Sequence, residues 1–179
     1  MADAVTRLHA LALVAIEQAA QRLVNGGSVD AWEKEMARII ARAHTAALIA
    51  GTAERAGVPV SDGLFRGLSR AERNELNATV KAQLDYLSRF VDDVRSGDLS
   101  PAQIAARADL YGGPLRATYY RNRYIGLPYY PADGGTPCLS NCKCSWRDEE
   151  GVYYWELSAS EHCVGCLERE AKNPYQVTA

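Results

Sequence analysis

The sequence predicts a mainly α protein, with a helical N-terminal body followed by a small C-terminal module of one β-hairpin and one helix. Three observations carry this. Apolar residues up to Tyr124 recur at intervals of three and four, the period of a helix. Serine caps and glycine stops punctuate those runs. Beyond the proline- and glycine-rich stretch Gly126–Pro137, which reads as an extended linker, the apolar period changes to two. The expected division is a helical domain over 1–125, a linker over 126–137 and a cysteine-rich module over 138–179.

The helices follow in order. Val5, Leu8, Ala12, Ile16, Ala19 and Leu23 form the first stripe, stopped at Gly26-Gly27. Leu11, Leu13 and Val14 fall off that stripe, so this helix reads as apolar nearly all round, and such a helix is buried centrally or meets a partner. Ser28 caps a second helix, which carries Trp32, Met36, Ile39, Ile40, Ala43 and Ala47 and should end near Gly51 or Gly57. Ser69-Arg-Ala-Glu72 is a capping box that opens a helix with Leu76, Val80, Leu84, Leu87, Val91 and Val94 on one face. Ser100-Pro101-Ala-Gln103 repeats the device, with proline where its missing N–H costs nothing. Gly112-Gly113-Pro114 breaks that helix, and a shorter helical piece runs from Leu115 to Tyr124. In the C-terminal module, Cys144 and Trp146 alternate with polar residues, Asp148-Glu-Glu-Gly151 supplies a turn, and Tyr153, Trp155 and Leu157 alternate again. Ser158 and Ser160 offer caps for a last helix from Glu161 to Lys172, stopped by Asn173-Pro174.

Composition bounds the function. The chain has 179 residues, 47% hydrophobic and 23% charged, which is enough apolar material for a core and excludes global disorder. A net charge of -2 argues against a protein that coats nucleic acid by bulk electrostatics. The most apolar stretch, Leu8–Ala20, is interrupted by Glu17 and Gln18 and falls short of the roughly 20 residues that a membrane span needs. Asp3 and a lone Arg7 make a poor signal-peptide start, so the product is expected on the cytoplasmic side. Persistent disulfides are rare there, and clustered cysteines bind metal or do redox work.

All five cysteines lie in the last 42 residues. Cys138, Cys142 and Cys144 precede the hairpin, and His162-Cys163-Val-Gly-Cys166 opens the helix after it. Two thiolates from a turn and two from a helix start, joined by a hairpin, make the treble-clef-like arrangement of a tetrahedral zinc site. The helix start also favours thiolates, and a metal would supply folding free energy that so small a segment lacks. Cys163, Cys166 and Cys138 take the first three places, Cys142 and Cys144 compete for the fourth, and His162 is an outer partner or a capping side chain. The site reads as structural Zn2+, because all-cysteine sites are normally closed. Two disulfides with one free thiol would staple the same segment without metal. A Cys163–Cys166 redox pair is the remaining alternative, but such pairs usually follow a strand in a βαβ unit, and no such unit is visible.

Other residues carry weaker signals. Arg107, Arg116, Arg121 and Arg123 with Tyr119, Tyr120 and Tyr124 form a basic and aromatic stripe that could clamp phosphates and stack bases, but reads first as a solvated helix face or docking surface. Asp92, Asp93 and Asp98 resemble a helix end, and His9 and His44 read as packed or solvated histidines. No G-x-S-x-G, P-loop, H-E-x-x-H or G-x-G-x-x-G pattern is present, and His162 alone cannot furnish a treble-clef nuclease. No catalytic residue is assigned.

The latter half of the chain, from about Leu84 to Pro174, resembles bacteriophage minor head, or head-morphogenesis, proteins. The carrying features are Phe90-Val-Asp-Asp-Val-Arg-Ser-Gly97, Leu99-Ser-Pro-Ala-Gln-Ile104, Arg116-Ala-Thr-Tyr-Tyr-Arg121, and the block from Asp133 through Cys138, Cys142 and Cys144 to Trp146. Trp155-Glu-Leu with Glu161-His-Cys-Val-Gly-Cys166 adds to them. In many of those proteins a C-x-x-C element precedes an H-P-x-C-x-C element, whereas here the C-x-C element comes first, without that histidine. The resemblance implies a non-enzymatic minor capsid protein of the virion head, made in the bacterial host cytoplasm. It would dock to the portal or the major capsid protein and could form a homo-oligomer. The runner-up is a zinc-containing nucleic-acid-binding module that contacts DNA through the arginine and tyrosine stripe. A thiol oxidoreductase comes third.

Overall fold

The second helix is the axis of the computed structural model, which describes residues 4–138, 142–159 and 161–177. α2 (Val29–Ala56) begins where the Ser28 hydroxyl accepts a hydrogen bond from the Ala31 amide, and ends at Gly57 in the left-handed conformation. It packs against α1 (Ala4–Val24), α4 (Arg70–Ser96) and α6 (Pro114–Arg123). Gly51 lies inside α2, not at its end, with the α6 backbone pressed directly against it.

The α1 stripe is buried as expected, but the helix is one-sided: Leu11 is 68% and Val14 51% exposed. α2 and α5 (Pro101–Asp109) cover only the Val5–Leu23 face, so the apolar surplus points outward and α1 is not central. Two larger apolar centres result among the described residues, beside a small one of Leu48, Leu68 and Leu76. One gathers Ile16, Trp32, Met36, Phe90 and Ile104 between α1, α2, α4 and α5, with the Trp32 and Phe90 rings edge to face at 5.2 Å. The other runs from Val5 through Ala47 and Tyr119 to Trp146, Trp155 and Cys166, so the cysteine-bearing segment rests on the ends of α1, α2 and α6.

Both capping boxes are present, at Ser69/Glu72 and Ser100/Gln103. Ser69→Ala removes the acceptor of the Glu72 amide and should cost about 1 kcal/mol, read as a lower urea midpoint at constant slope. One helix is new to the sequence reading. α3 (Asp62–Gly67) is six residues long, too short for a periodic signal, and Arg73 of α4 holds its end by donating to the Phe65, Arg66 and Leu68 carbonyls. Between α5 and α6 the chain makes one 3₁₀ turn, Leu110–Gly112, before Pro114 opens α6.

His44 sits 1% exposed in α2, where its Nδ1 shares a 2.7 Å hydrogen bond with the Thr118 hydroxyl of α6. Burial lowers its pKa from 6.5 to about 4. The unfolded chain therefore takes up a proton that the native chain refuses. Stability should fall as pH drops from about 6.5 to 4, by about 3 kcal/mol in all. Denaturant titrations across that window should show the slope, and His44→Gln should remove most of it.

The segment 126–137 has no regular structure but is packed, with Leu127, Pro131, Ala132 and Thr136 buried. The Trp146 indole N–H donates to the Tyr129 carbonyl at 3.0 Å, which ties this segment to the sheet. The hairpin forms as read: β1 (Ser145–Glu149) pairs antiparallel with β2 (Val152–Glu156), Trp146 opposite Trp155. Glu150 (φ 54) and Gly151 (φ 85) both take the left-handed conformation, as a two-residue hairpin loop demands. A third strand, β3 (Tyr175–Gln176), extends the sheet in the order β1-β2-β3.

The last helix is shorter than expected. α7 spans Val164–Glu170, and its N-cap residue is Cys163 instead of Ser158; Ser160 lies outside the described residues. Cys163 is extended (φ -76, ψ 157), which delays the helix and turns the residue toward Cys138.

Candidate metal centre

Three stretches of backbone bring the sulfurs together. Cys138 follows the packed Pro/Gly segment, Cys142 and Cys144 lead into β1, and Cys163 and Cys166 lie at the start of α7. All five predicted ligands converge. Cys138, Cys163 and Cys166 have their Sγ atoms within 4.8 Å of one another, and so do Cys142, Cys144 and Cys166. Cys166 belongs to both sets.

The separations bear on the chemistry. Cys138 and Cys142 each lie 3.7 Å from the Cys166 sulfur, and Cys163 lies 3.5 Å from that of Cys138. A disulfide has an S–S bond of about 2.05 Å, and all five cysteines are free thiols, so the stapling disulfides are not formed. A tetrahedron with Zn–S bonds of about 2.3 Å has edges of about 3.8 Å. The observed spacings are close to such edges, and five soft donors suit a thiophilic ion. The cysteine cluster can therefore hold a metal ion. When bound, such an ion would cross-link the three segments.

The surroundings hold the donors in place. Arg116, read from the sequence as part of a basic stripe, reaches from α6 to the cysteine turn. It donates to the carbonyls of Cys142 at 2.8 Å, Cys144 at 2.9 Å and Lys143 at 3.4 Å. Three carbonyls on one guanidinium fix the turn that carries two thiols. Arg116→Ala should weaken metal binding by about 10-fold or more, measured by competition with a chromogenic chelator.

His162 stands at the edge of the cluster. Its Nε2 donates to the Ser158 carbonyl at 2.7 Å, and its Nδ1 faces the Cys144 sulfur at 3.9 Å. With the proton engaged on Nε2, the Nδ1 lone pair faces the Cys144 thiol and would be available to a metal once that thiol is ionised.

The thiols differ electrostatically. For Cys163, burial opposes ionisation, but hydrogen bonds from the Cys166 and Cys138 backbone outweigh it and bring the thiol down to about 6. A hydrogen bond from the Cys142 thiol lowers the pKa of Cys144, and the same bond together with burial pushes Cys142 up. Burial chiefly raises Cys166 and Cys138. Cys142, Cys144 and Cys166 are buried, whereas Cys138 and Cys163 are partly exposed.

The remaining arginines of the stripe are spoken for. Arg107 pairs with Asp93, Arg121 with Glu75, and Arg123 with Glu54, while Tyr119, Tyr120 and Tyr124 are buried. The stripe joins helices to one another and offers no stacked rings on the surface.

Two supports were not legible beforehand. Arg169 of α7 is 6% exposed between the Tyr129 and Trp155 rings, at 4.4 and 4.9 Å, and reaches Asp133 at 3.5 Å. Asn173 imitates a strand: its side chain accepts from the Trp155 amide at 2.7 Å and donates to the Trp155 carbonyl at 3.0 Å. Both depend on residues far apart in sequence, so no local pattern marks them.

Fold and site together define a mainly helical protein with a small antiparallel sheet and a thiol cluster able to bind a metal ion. Comparison with family models, with curated proteins and with solved structures finds no match.

Proposed function

We propose that this chain is a non-enzymatic structural or assembly protein whose C-terminal module is stapled by zinc through Cys138, Cys142, Cys144, Cys163 and Cys166. The observation that carries the reading is the convergence of five free thiols from three segments, at spacings close to those of a tetrahedral thiolate site. The donors are turned inward, and the groups around them, Arg116 foremost, are spent on holding the backbone. That is the economy of a scaffold. The sequence likeness to phage minor head proteins supports a setting in the virion head, docked to the portal or the major capsid protein. The exposed Leu11 and Val14 of α1 supply an apolar outer face for such docking.

Elemental analysis of the purified full chain tests the metal, with thiol counting before and after chelation. Bound zinc, and thiols that react slowly until a chelator is added, are expected; a metal-free and cooperatively folded preparation would overturn the zinc reading. Co-purification with a portal protein tests the setting, and its failure with both portal and capsid proteins would overturn the phage assignment alone.

One observation favours a second reading, a thiol oxidoreductase. Cys163 is partly exposed, its thiol is lowered to about 6, and the Cys138 sulfur is 3.5 Å away. Rapid alkylation of Cys163 alone in the metal-loaded protein would favour that reading, and uniform protection would remove it.

A further inference from the structure

We infer that the cluster binds two metal ions, bridged by the Cys166 thiolate. This rests on the metal reading above and deepens it. Four sulfurs suffice for one tetrahedral ion, yet five are gathered, in two triads that share only Cys166. Each triad is compact enough to form one face of a coordination tetrahedron. Cys166 is also the residue through which the inner pair, Cys142 and Cys144, and the outer pair, Cys138 and Cys163, come together.

The donor count agrees. Two four-coordinate ions present eight places. Five thiolates fill six of them when Cys166 counts twice, and the His162 Nδ1 beside Cys144 fills a seventh. The inner ion thus takes Cys142, Cys144, Cys166 and His162. The outer ion takes Cys138, Cys163 and Cys166, with its last place left to solvent or to Glu161, which lines the same cavity of about 40 Å³.

Charge points the same way. One divalent ion among four thiolates leaves two negative charges in a largely buried site and a fifth thiol without a role. Two divalent ions among five thiolates leave a single negative charge, a smaller penalty for burial.

Native mass spectrometry of the full chain loaded with Zn2+ reads the count directly. Two ions per chain are expected. One ion would overturn the bridged pair while leaving the zinc staple intact, and none would overturn both. Loading with 113Cd2+ adds a readout that does not depend on mass. Two cadmium resonances that split each other through the shared sulfur are expected, whereas a single resonance, or two without mutual coupling, would refute the bridge. His162→Ala should lower the affinity for one of the two ions by about 10-fold or more and leave the other in place; equal loss of both ions, or of neither, would contradict the assignment of His162 to the inner ion.

Discussion

Cys166→Ser should lower metal affinity sharply, remove at least one bound ion and loosen the cysteine-bearing segment while leaving the helices of the body formed. Cys166 is 1% exposed and is the only sulfur common to both triads, so no rearrangement of the other four restores two complete faces. A structural zinc contributes on the order of 10 kcal/mol to the fold of a small module, far more than one hairpin and a seven-residue helix can replace. Trp146 and Trp155 report the event, because their rings meet edge to face at 5.2 Å in the same apolar cluster as Cys142, Cys144 and Cys166. Tryptophan fluorescence should shift to the red and its near-ultraviolet dichroism vanish, with most of the far-ultraviolet helical signal retained. Chelation of the wild-type protein should reproduce the change, and added zinc should reverse it. An unchanged tryptophan environment after complete metal removal would show that the core alone holds the segment.

Gly51→Ala should destabilise the whole protein by about 3 kcal/mol, although alanine is the better helix former. A Cβ at Gly51 would stand 2.4 Å from the Tyr119 carbonyl oxygen and 3.1 Å from the Arg123 amide nitrogen. Both atoms are backbone of α6, so no side chain can rotate aside. Intrinsic helix propensity returns only about 1 kcal/mol and cannot offset the separation of two helices. Gly112 is the instructive contrast, because an added Cβ there meets the Leu13 Cδ2 at 2.6 Å, the movable tip of a side chain. Gly112→Ala should therefore cost less. Thermal unfolding of the two variants orders them, and an equal or reversed order would contradict the backbone argument. Because α6 also carries Arg116, the Gly51 variant should lose metal affinity as well, despite the distance in sequence.

Much of this architecture was legible because its causes are local. Ser28, Ser69 and Ser100 cap helices through hydrogen bonds within three residues, and the stripe of Val5, Ala12, Ile16, Ala19 and Leu23 needs only the helical period. The Trp146–Trp155 hairpin follows from alternation and a turn. All five thiols were legible as candidate ligands, since cysteine is scarce elsewhere and its spacing is informative. What escaped depends on distance. Gly51 looks like a helix stop in sequence, but its lack of a side chain serves the close approach of α6. The arginine and tyrosine stripe looks like a binding face until Asp93, Glu75 and Glu54 arrive from other helices. Helix α7 starts late because Cys163 remains extended toward Cys138, a demand that neither the serine caps nor the local sequence contains.

The shared core that joins Val5 of α1 to Trp155 and Cys166 bears on the order of events during synthesis. Chains fold from the N-terminal end as they emerge, and contacts between remote residues form late. The floor made by α1, α2 and α6 is complete in the nascent chain before the sulfurs of α7 leave the ribosome. With the ion bound as proposed, its capture would be the closing act of biogenesis, and a cell starved of metal would accumulate finished helical bodies with loose tails.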